Sequence, residues 1–460
     1  MVYGLSLRVH FNGAQRGRGV GHITIDRTRP TRPLGHLMGA GNLEGRLFYE
    51  VVSEHSATRC SLAAGAIRLL KVRNYVVATK IHSPIRVVRL LPVLDFGGVE
   101  TRVIQQSVGM DRSGFDFRVC AFRNAGDAAK RIEEAGVQVD MLDVDPAIRN
   151  PQATLALASY LRSNPTDILH CSINEANFHG TVASLLTPVS CVVVEEVGDP
   201  LVRSWRGHLV VGLTMHLADY CIGVSRPVAR YLSKGLFVPS KKVVHIDNGV
   251  LEIDQPTQEE CQRARTELGI PLDALVVGSV GRLNDKHKRF SHLLEAVERL
   301  QVDLPNTYVL IVGDGPDRAR LQNMVEQSSL SDRVIMPGFR SDMKNMYACM
   351  DVFSLLSEQE AFGLVVAEAM FCGLPVVVSD VGGMSDIVVE GETGFKVPRL
   401  RPEIAAERLF SLLKDPAKRS KMGEAGRLRA VEKYGSQRYN ADVRSLYERL
   451  GRELGLVGKD

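Results

Sequence analysis

Glu360-Ala361-Phe362-Gly363-Leu364-Val365-Val366-Ala367-Glu368 sets two carboxylates on either side of a helix start. An apolar strand, Asp351 to Leu356, and a short loop, Ser357 to Gln359, come before it. Phe362 to Phe371 reads as a helix that Gly373-Leu374-Pro375 ends. Glu360 then lies in the loop and Glu368 about two turns into the helix. Between them, the N–H groups of Phe362, Gly363 and Leu364 lack partners within the helix. A helix start also carries partial positive charge, so the place attracts phosphate. Gly363 permits a ligand to approach the backbone closely. A phosphate flanked by two acceptors for hydroxyl groups suits a sugar nucleotide, with the sugar at one end and the ribose at the other. Two solvated Glu near a helix start would look the same in isolation, so the rest of the chain decides.

The same strand–loop–helix unit recurs on both sides of this stretch. Candidate strands are Ile85–Leu91, Phe117–Phe122, Val137–Leu142, Ile168–Cys171, Cys191–Glu195, Tyr220–Val224 and Val243–Ile246, with helical patterns such as Glu100–Met110 and Pro151–Arg162 between them. After Asp247-Asn248-Gly249-Val250 comes a polar stretch, and a second set follows: Leu275–Gly281, Tyr308–Gly313, Val334–Met336, Val352–Leu356, Pro375–Ser379 and Gly394–Val397. Strands alternating with helices imply parallel sheets covered by helices. The expected organisation is an acceptor-side domain over 84–250, a linker over 251–271, a donor-binding domain over 272–436 and a helix over 437–460 that returns to the first domain.

The stretch Ser357 to Pro398 resembles the donor-site signature of the retaining glycosyltransferases of family 4, and the resemblance extends from about Ile85 to Leu454. It implies the GT-B fold: an α/β chain of two tandem Rossmann-like domains with parallel sheets and a cleft between them, ligands lying at the carboxyl ends of the strands. In that family the first Glu of the motif contacts the transferred sugar and the second the ribose, roles that fall on Glu360 and Glu368, with Phe362, Gly363 and Leu364 at the phosphates. The family's Arg and Lys at the donor diphosphate map onto Arg282 and Lys288, where fixed cations would stabilise a departing diphosphate. Lys286, His287 and Arg289 crowd this turn, and a solvated basic turn is its plain alternative. Gly97 and Gly98 open a helix after the first strand, like the family's Gly-rich loop beside the donor phosphates. Gly313, Gly315, Phe339 and Arg340 fall on loops that in the family lie near the nucleotide.

The chain departs from the family at Ser172, where a second His of a His-x-His pattern is common. His170, Ser172, Asn174 and Glu195 remain as acceptor-side candidates, with a structural role the plainer reading of each. Asp143-Val144-Asp145 is a DxD, the metal signature of a different glycosyltransferase fold; after a short strand and before Pro146 it reads as a loop. The expected chemistry uses no metal and no cofactor, only a nucleotide-diphosphate sugar as co-substrate.

Composition sets the outer limits. The chain has 460 residues, 45% hydrophobic and 24% charged, as in globular proteins of more than one domain. Its net charge of +4 is uneven: residues 1–83 carry 12 Lys and Arg against 4 Asp and Glu, and the remainder 45 against 49. No broad basic field argues for nucleic acid. The eight Cys show no CxxC spacing and read as core residues of a reducing compartment. No apolar run reaches the length of a membrane span. Residues 1–83, rich in Arg and Gly, read as a disordered extension. A targeting segment or translated sequence upstream of the true start are the alternatives.

The reading is thus a retaining hexosyltransferase that moves a sugar from a nucleotide-diphosphate sugar to an acceptor hydroxyl, in surface polysaccharide or glycolipid synthesis. The expected location is cytoplasmic, and a lipid-linked acceptor would bring the first domain to the inner face of the membrane. Two rivals stand beside it: a sugar-nucleotide epimerase on the same fold, and a non-catalytic sugar-nucleotide binding protein.

Overall fold

In the computed structural model, residues 84–95, 97–198 and 204–456 are described; the extension expected over 1–83 lies outside them. The first seven strands are β1 (Ile85–Leu94), β2 (Phe115–Ala125), β3 (Gln138–Met141), β4 (Ile168–Ser172), β5 (Cys191–Glu196), β6 (Tyr220–Gly223) and β7 (Val243–His245). They form one sheet in the order β3-β2-β1-β4-β5-β6-β7. The next six are β8 (Leu275–Val280), β9 (Thr307–Val312), β10 (Val334–Gly338), β11 (Val352–Leu355), β12 (Val376–Ser379) and β13 (Gly394–Val397), ordered β10-β9-β8-β11-β12-β13. All pairings within these sheets are parallel. The strands β8, β9, β11 and β12 are near-continuous apolar runs because helices cover both faces of their sheet. The molecule therefore has two Rossmann-like domains. In each, the order of strands reverses once, between β1 and β4 and between β8 and β11, and such reversals open the crevices where ligands bind.

Residues 251–271, expected as a linker, contain the helix Gln258–Glu267. Its polar composition hid it, but Thr257 and Glu260 close a capping box at its start, the Thr257 hydroxyl accepting from Glu260 N–H and the Glu260 carboxylate from Thr257 N–H. Ala264 and Ile270 seat this segment against the second domain's core.

The chain crosses between domains twice at one place. Val250 N–H donates to Tyr434 O at 2.8 Å, and Val250 bridges to Gly435. A Cβ on Gly249 would lie 2.4 Å from that of Tyr439, so the two crossings touch only because residue 249 has none. The helix Ser436–Glu453 then buries Tyr439, Val443, Leu446, Tyr447 and Leu450 in the first domain's core.

Candidate active site

The loops after β8 and β11 build the site, at the second domain's reversal of strand order. Leaving β8, the chain passes Gly281, Arg282 and Leu283 and enters the short helix Asp285–Lys288. Asp285 pins this turn from beneath: its buried carboxylate accepts from Ser291 N–H at 2.8 Å, Ser291 hydroxyl at 2.7 Å and Arg320. Burial alone would raise the Asp285 carboxyl pKa, but the Ser291 and Arg320 hydrogen bonds hold it below the ordinary value. Arg289, in left-handed backbone at φ 54°, ends the helix and turns its guanidinium onto Glu358. Glu358 N–H donates to His287 O at 2.8 Å. Two ties therefore lash the loop after β8 to the loop after β11, and the result is a direct ion pair between Lys288 Nζ and Glu360 Oε2.

The helix expected from Phe362 begins at Leu364, with Gly363 as its left-handed cap at φ 102°. Phe362 is loop, and its ring packs edge-on against Tyr434 in the core. The donors at the helix start are accordingly shifted toward Gly363, Leu364 and Val365. Gly382 and Gly383 lie directly under this loop: a Cβ on Gly382 would fall 1.5 Å from Glu360 O, and one on Gly383 2.6 Å from Phe362 Cα. These two glycines let a second backbone support the loop that carries Glu360.

The first domain closes the site from the other side. A Cβ on Gly98 would come within 2.5 Å of the Leu364 side chain, so the helix starts Gly98–Gly109 and Leu364–Phe371 meet across the domain boundary. Gly97 is needed for a local reason: the Glu100 carboxylate folds back over it, leaving 2.2 Å for a Cβ. Burial raises the Glu100 pKa. Ser225 adds a buried bond across the boundary, donating to Ala361 O at 2.8 Å. Between the domains is a cavity of about 280 Å³, lined by Gly98, Val99, Arg102, Val197 and Asn248 from one side and by Lys288 and Glu360 to Val365 from the other.

Lys288, Glu360, Phe362, Gly363, Leu364 and Gly98 thus line one cavity. The other expected residues do not line it. Arg282 is exposed on the loop after β8. Glu368 is half-buried one turn deeper in its helix and accepts from the Tyr347 hydroxyl at 2.6 Å. Burial raises the Glu368 carboxyl pKa, and the Tyr347 hydrogen bond opposes that rise. A Cβ on Gly313 would fall 2.0 Å from Gly281 O and one on Gly315 2.6 Å from Leu283 O, so both glycines serve contact between loops. Arg340 is held by Asp342 and Glu267, and Phe339 is exposed.

The acceptor-side candidates are largely interior. His170, Ser172 and Glu195 are buried with Arg89, Arg102, Tyr439 and Tyr447 in one polar network under the cavity floor. Glu195 lies 3.2 Å from Arg102, 3.6 Å from Arg89 and 3.3 Å from His170 Nε2, and accepts from the Ser172 hydroxyl at 2.6 Å. Burial by itself would raise the Glu195 pKa, but Arg102, Arg89 and His170 hold it well below the carboxylate range. These side chains support the wall rather than face the cleft; Arg102 alone of the group lines the cavity. Asn174 begins the helix Asn174–Ser184, half-buried. Asp143 and Asp145 lie in a loop, and among the described residues no group of three or more His, Cys, Asp or Glu is placed to hold a metal ion.

Burial, and then Arg89, lower the His170 pKa from 6.5 to about 4. The folded protein keeps this ring neutral while the unfolded chain takes up a proton near pH 6.5. Its contribution is whole above pH 6.5 and declines toward pH 4, at up to about 1.4 kcal/mol per pH unit. Urea midpoints measured from pH 7 to 4.5 should fall more steeply for the native chain than for His170→Gln. Parallel slopes would show that the ring titrates freely when folded.

Reading from the sequence missed Arg89, Arg102, Tyr347 and Asp285. Arg89 left a signal, a second cation three residues after Arg86 in the apolar strand Ile85–Leu94, where a buried charge survives only if paired. Tyr347 left none, because nothing in its own segment points to a residue on a different helix.

Two parallel-sheet Rossmann-like domains with a lined cleft between them define the GT-B architecture. Residues 261–429 match the family described as glycosyl transferases group 1, and residues 97–249 match a glycosyl transferase 4-like domain. The chain belongs to this glycosyltransferase family. It is 31% identical over 162 residues to the N-acetyl-alpha-D-glucosaminyl L-malate synthase of Bacillus anthracis, a match covering 35% of this chain and 42% of that protein. It is 33% identical over 162 residues to the lipopolysaccharide core biosynthesis glycosyltransferase LpsE of Rhizobium meliloti, covering 35% and 46%. The matches span less than half the length of these curated relatives. Among solved structures, Anabaena HepE in complex with UDP and glucose shares the fold at a TM-score of 0.69 and 22% identity, over 80% of this chain and all of that one. Among the described residues no helix is long and apolar enough to cross a membrane.

Proposed function

We propose that the chain is a retaining glycosyltransferase that moves a sugar from a nucleotide-diphosphate sugar to an acceptor hydroxyl, in the synthesis of a surface polysaccharide or glycolipid. One observation carries the reading: a cation, a carboxylate and a helix start converge on a single cavity that the other domain closes. Lys288 and the N–H groups from Gly363 to Val365 oppose the diphosphate charge, with Arg282, exposed on the loop after β8, as the second cation of the reading. The reading therefore invokes no divalent ion. Donor binding exchanges the Lys288–Glu360 pair for two new contacts, Lys288 with a phosphate oxygen and Glu360 with sugar hydroxyls. Glu368, held by Tyr347, receives the ribose.

In the transfer step the bond between the anomeric carbon and the diphosphate oxygen breaks, and the acceptor oxygen attacks from the same face. The acceptor proton goes to the departing diphosphate. Lys288 and the helix start stabilise the charge that develops there, and closure around Gly98 and Leu364 excludes water. The relatives' printed names support the class of activity, and HepE's complex with UDP and glucose supports a uridine nucleotide as the first donor to try.

A panel of labelled nucleotide sugars tests the proposal. A transferase hydrolyses one donor slowly and gives a product with the donor's anomeric configuration once an acceptor is supplied. A new sugar isomer would instead mark an epimerase, and binding without turnover of any donor a binding protein. The ribose assignment has its own test. Tyr347→Phe removes the hydrogen bond that orients Glu368 and should raise the donor KM about 3- to 10-fold with kcat changed less. An effect confined to kcat would place Glu368 elsewhere in the reaction.

A further inference from the structure

The side chain of Asn248 is not explained by the fold. Asn248 is 6% exposed, and its Oδ1 is buried without a hydrogen-bond partner. An unmet buried acceptor is costly, so its presence calls for a reason. The two usual structural reasons for Asn before Gly do not apply. Asn-Gly commonly marks a turn in left-handed backbone, but neither Asn248 nor Gly249 has a positive φ. Asn also serves by bonding to nearby backbone, and here other groups hold that backbone. Arg438 Nη2 donates to Asp247 O at 2.8 Å and to Asn248 O at 3.0 Å, and Val250 N–H donates to Tyr434 O. The main chain is thus fixed on both sides of a side chain whose acceptor is unused.

Asn248 lines the cavity between the domains, across from Lys288, Glu360 and the helix start at Gly363 to Val365. Among the described residues, four polar side chains line that cavity. Arg102 is engaged by Glu195 and Tyr439, and Lys288 and Glu360 are paired with each other. Asn248 alone brings an acceptor that is buried without a partner. The missing partner must supply a proton. An ionised diphosphate offers only acceptors and does not meet that need. A sugar hydroxyl does: it both donates and accepts, so it suits either end of an amide. The sugar is bonded directly to the diphosphate. A diphosphate against Lys288 and the helix start therefore brings sugar hydroxyls into the cavity that Asn248 and Glu360 share.

We infer that Asn248 is a contact of the transferred sugar, its amide holding one ring hydroxyl from the first domain's side while Glu360 holds others from the second. The inference deepens the transferase reading and rests on it. Native chain and Asn248→Ala are titrated calorimetrically with UDP-glucose, UDP-N-acetylglucosamine and GDP-mannose, each beside its bare nucleoside diphosphate. Hydrolysis is then followed for the nucleotide sugar that binds. The variant should bind that nucleotide sugar about 3- to 10-fold more weakly, the value of one hydrogen bond, and the bare diphosphate as well as the native chain does. Its hydrolysis without acceptor should slow. Its thermal midpoint without ligand should be unchanged or higher, because the substitution removes an unmet polar group. Three results would overturn the inference. Equal losses for nucleotide sugar and diphosphate would put the amide on the phosphates. Unchanged affinity for both would leave the sugar without this contact, and a lowered thermal midpoint would then make Asn248 a structural residue. A native chain that binds none of the three nucleotide sugars would lose the proposed activity, and this inference with it.

Discussion

Glu195→Ala should lower the stability of the folded chain by about 3–5 kcal/mol, the cost of leaving buried charge unpaired. Glu195 is the carboxylate lying directly between Arg89 and Arg102, and both guanidiniums are buried beside it. Removing it leaves two cations facing each other without water, and it also strips the Ser172 hydroxyl of its acceptor. Glu195→Gln keeps the shape but not the charge and should recover only part of the loss. Because Tyr439 and Tyr447 bring the returning helix into the same network, the damage should reach the join between domains. Urea unfolding of the three proteins measures this. A loss below about 1 kcal/mol, the scale of an exposed ion pair, would mean that water reaches the network and that the charges are not coupled as described.

Lys288→Ala should reduce kcat about 10²- to 10³-fold, the usual effect of removing one preorganised group that stabilises developing charge. Lys288 is placed by three separate devices: Asp285 beneath the turn, the His287–Glu358 backbone bond, and the Arg289–Glu358 pair. The substitution also releases Glu360 from its partner. Glu360→Ala should likewise act mainly on turnover, whereas Glu368→Ala should act mainly on donor affinity. Lys288→Arg keeps the charge but on a longer, forked group and should restore a fraction of the rate. Initial rates over a range of donor concentration separate these effects. If Lys288→Ala changes only KM, the lysine contributes to ground-state binding and not to the departure of the diphosphate.

The architecture was legible because each unit announces itself: an apolar run, a Gly or Pro break, then helical periodicity. Both sheets followed from that alternation. Within the expected linker the helix over 258–267 was not read, because polarity there belongs to a helix with a narrow buried edge, and the Thr257-x-x-Glu260 box was its signal. At the site, Glu360 and Lys288 were named from the resemblance to the family's donor-site signature, and the structure brings the two to one cavity. For the glycines 313 and 315 the structure adds a local requirement that the sequence does not show. A sequence shows that a Cβ is not tolerated but not whether a ligand or another loop requires its absence, and here the requirement comes from Gly281 and Leu283. His170 and Glu195 were acceptor-side candidates with a structural role the plainer reading, and their buried network left no periodic trace because the partners of Glu195 come from four different elements.

Calorimetric titration of a nucleoside diphosphate into the native chain and into Lys288→Ala addresses the central assignment most directly, since it needs neither the sugar nor the acceptor. The account predicts one site per chain and a loss of affinity on the order of tenfold or more in the variant, from one charge-assisted phosphate contact. Equal affinity in the two proteins, or no binding to the native chain, would contradict it.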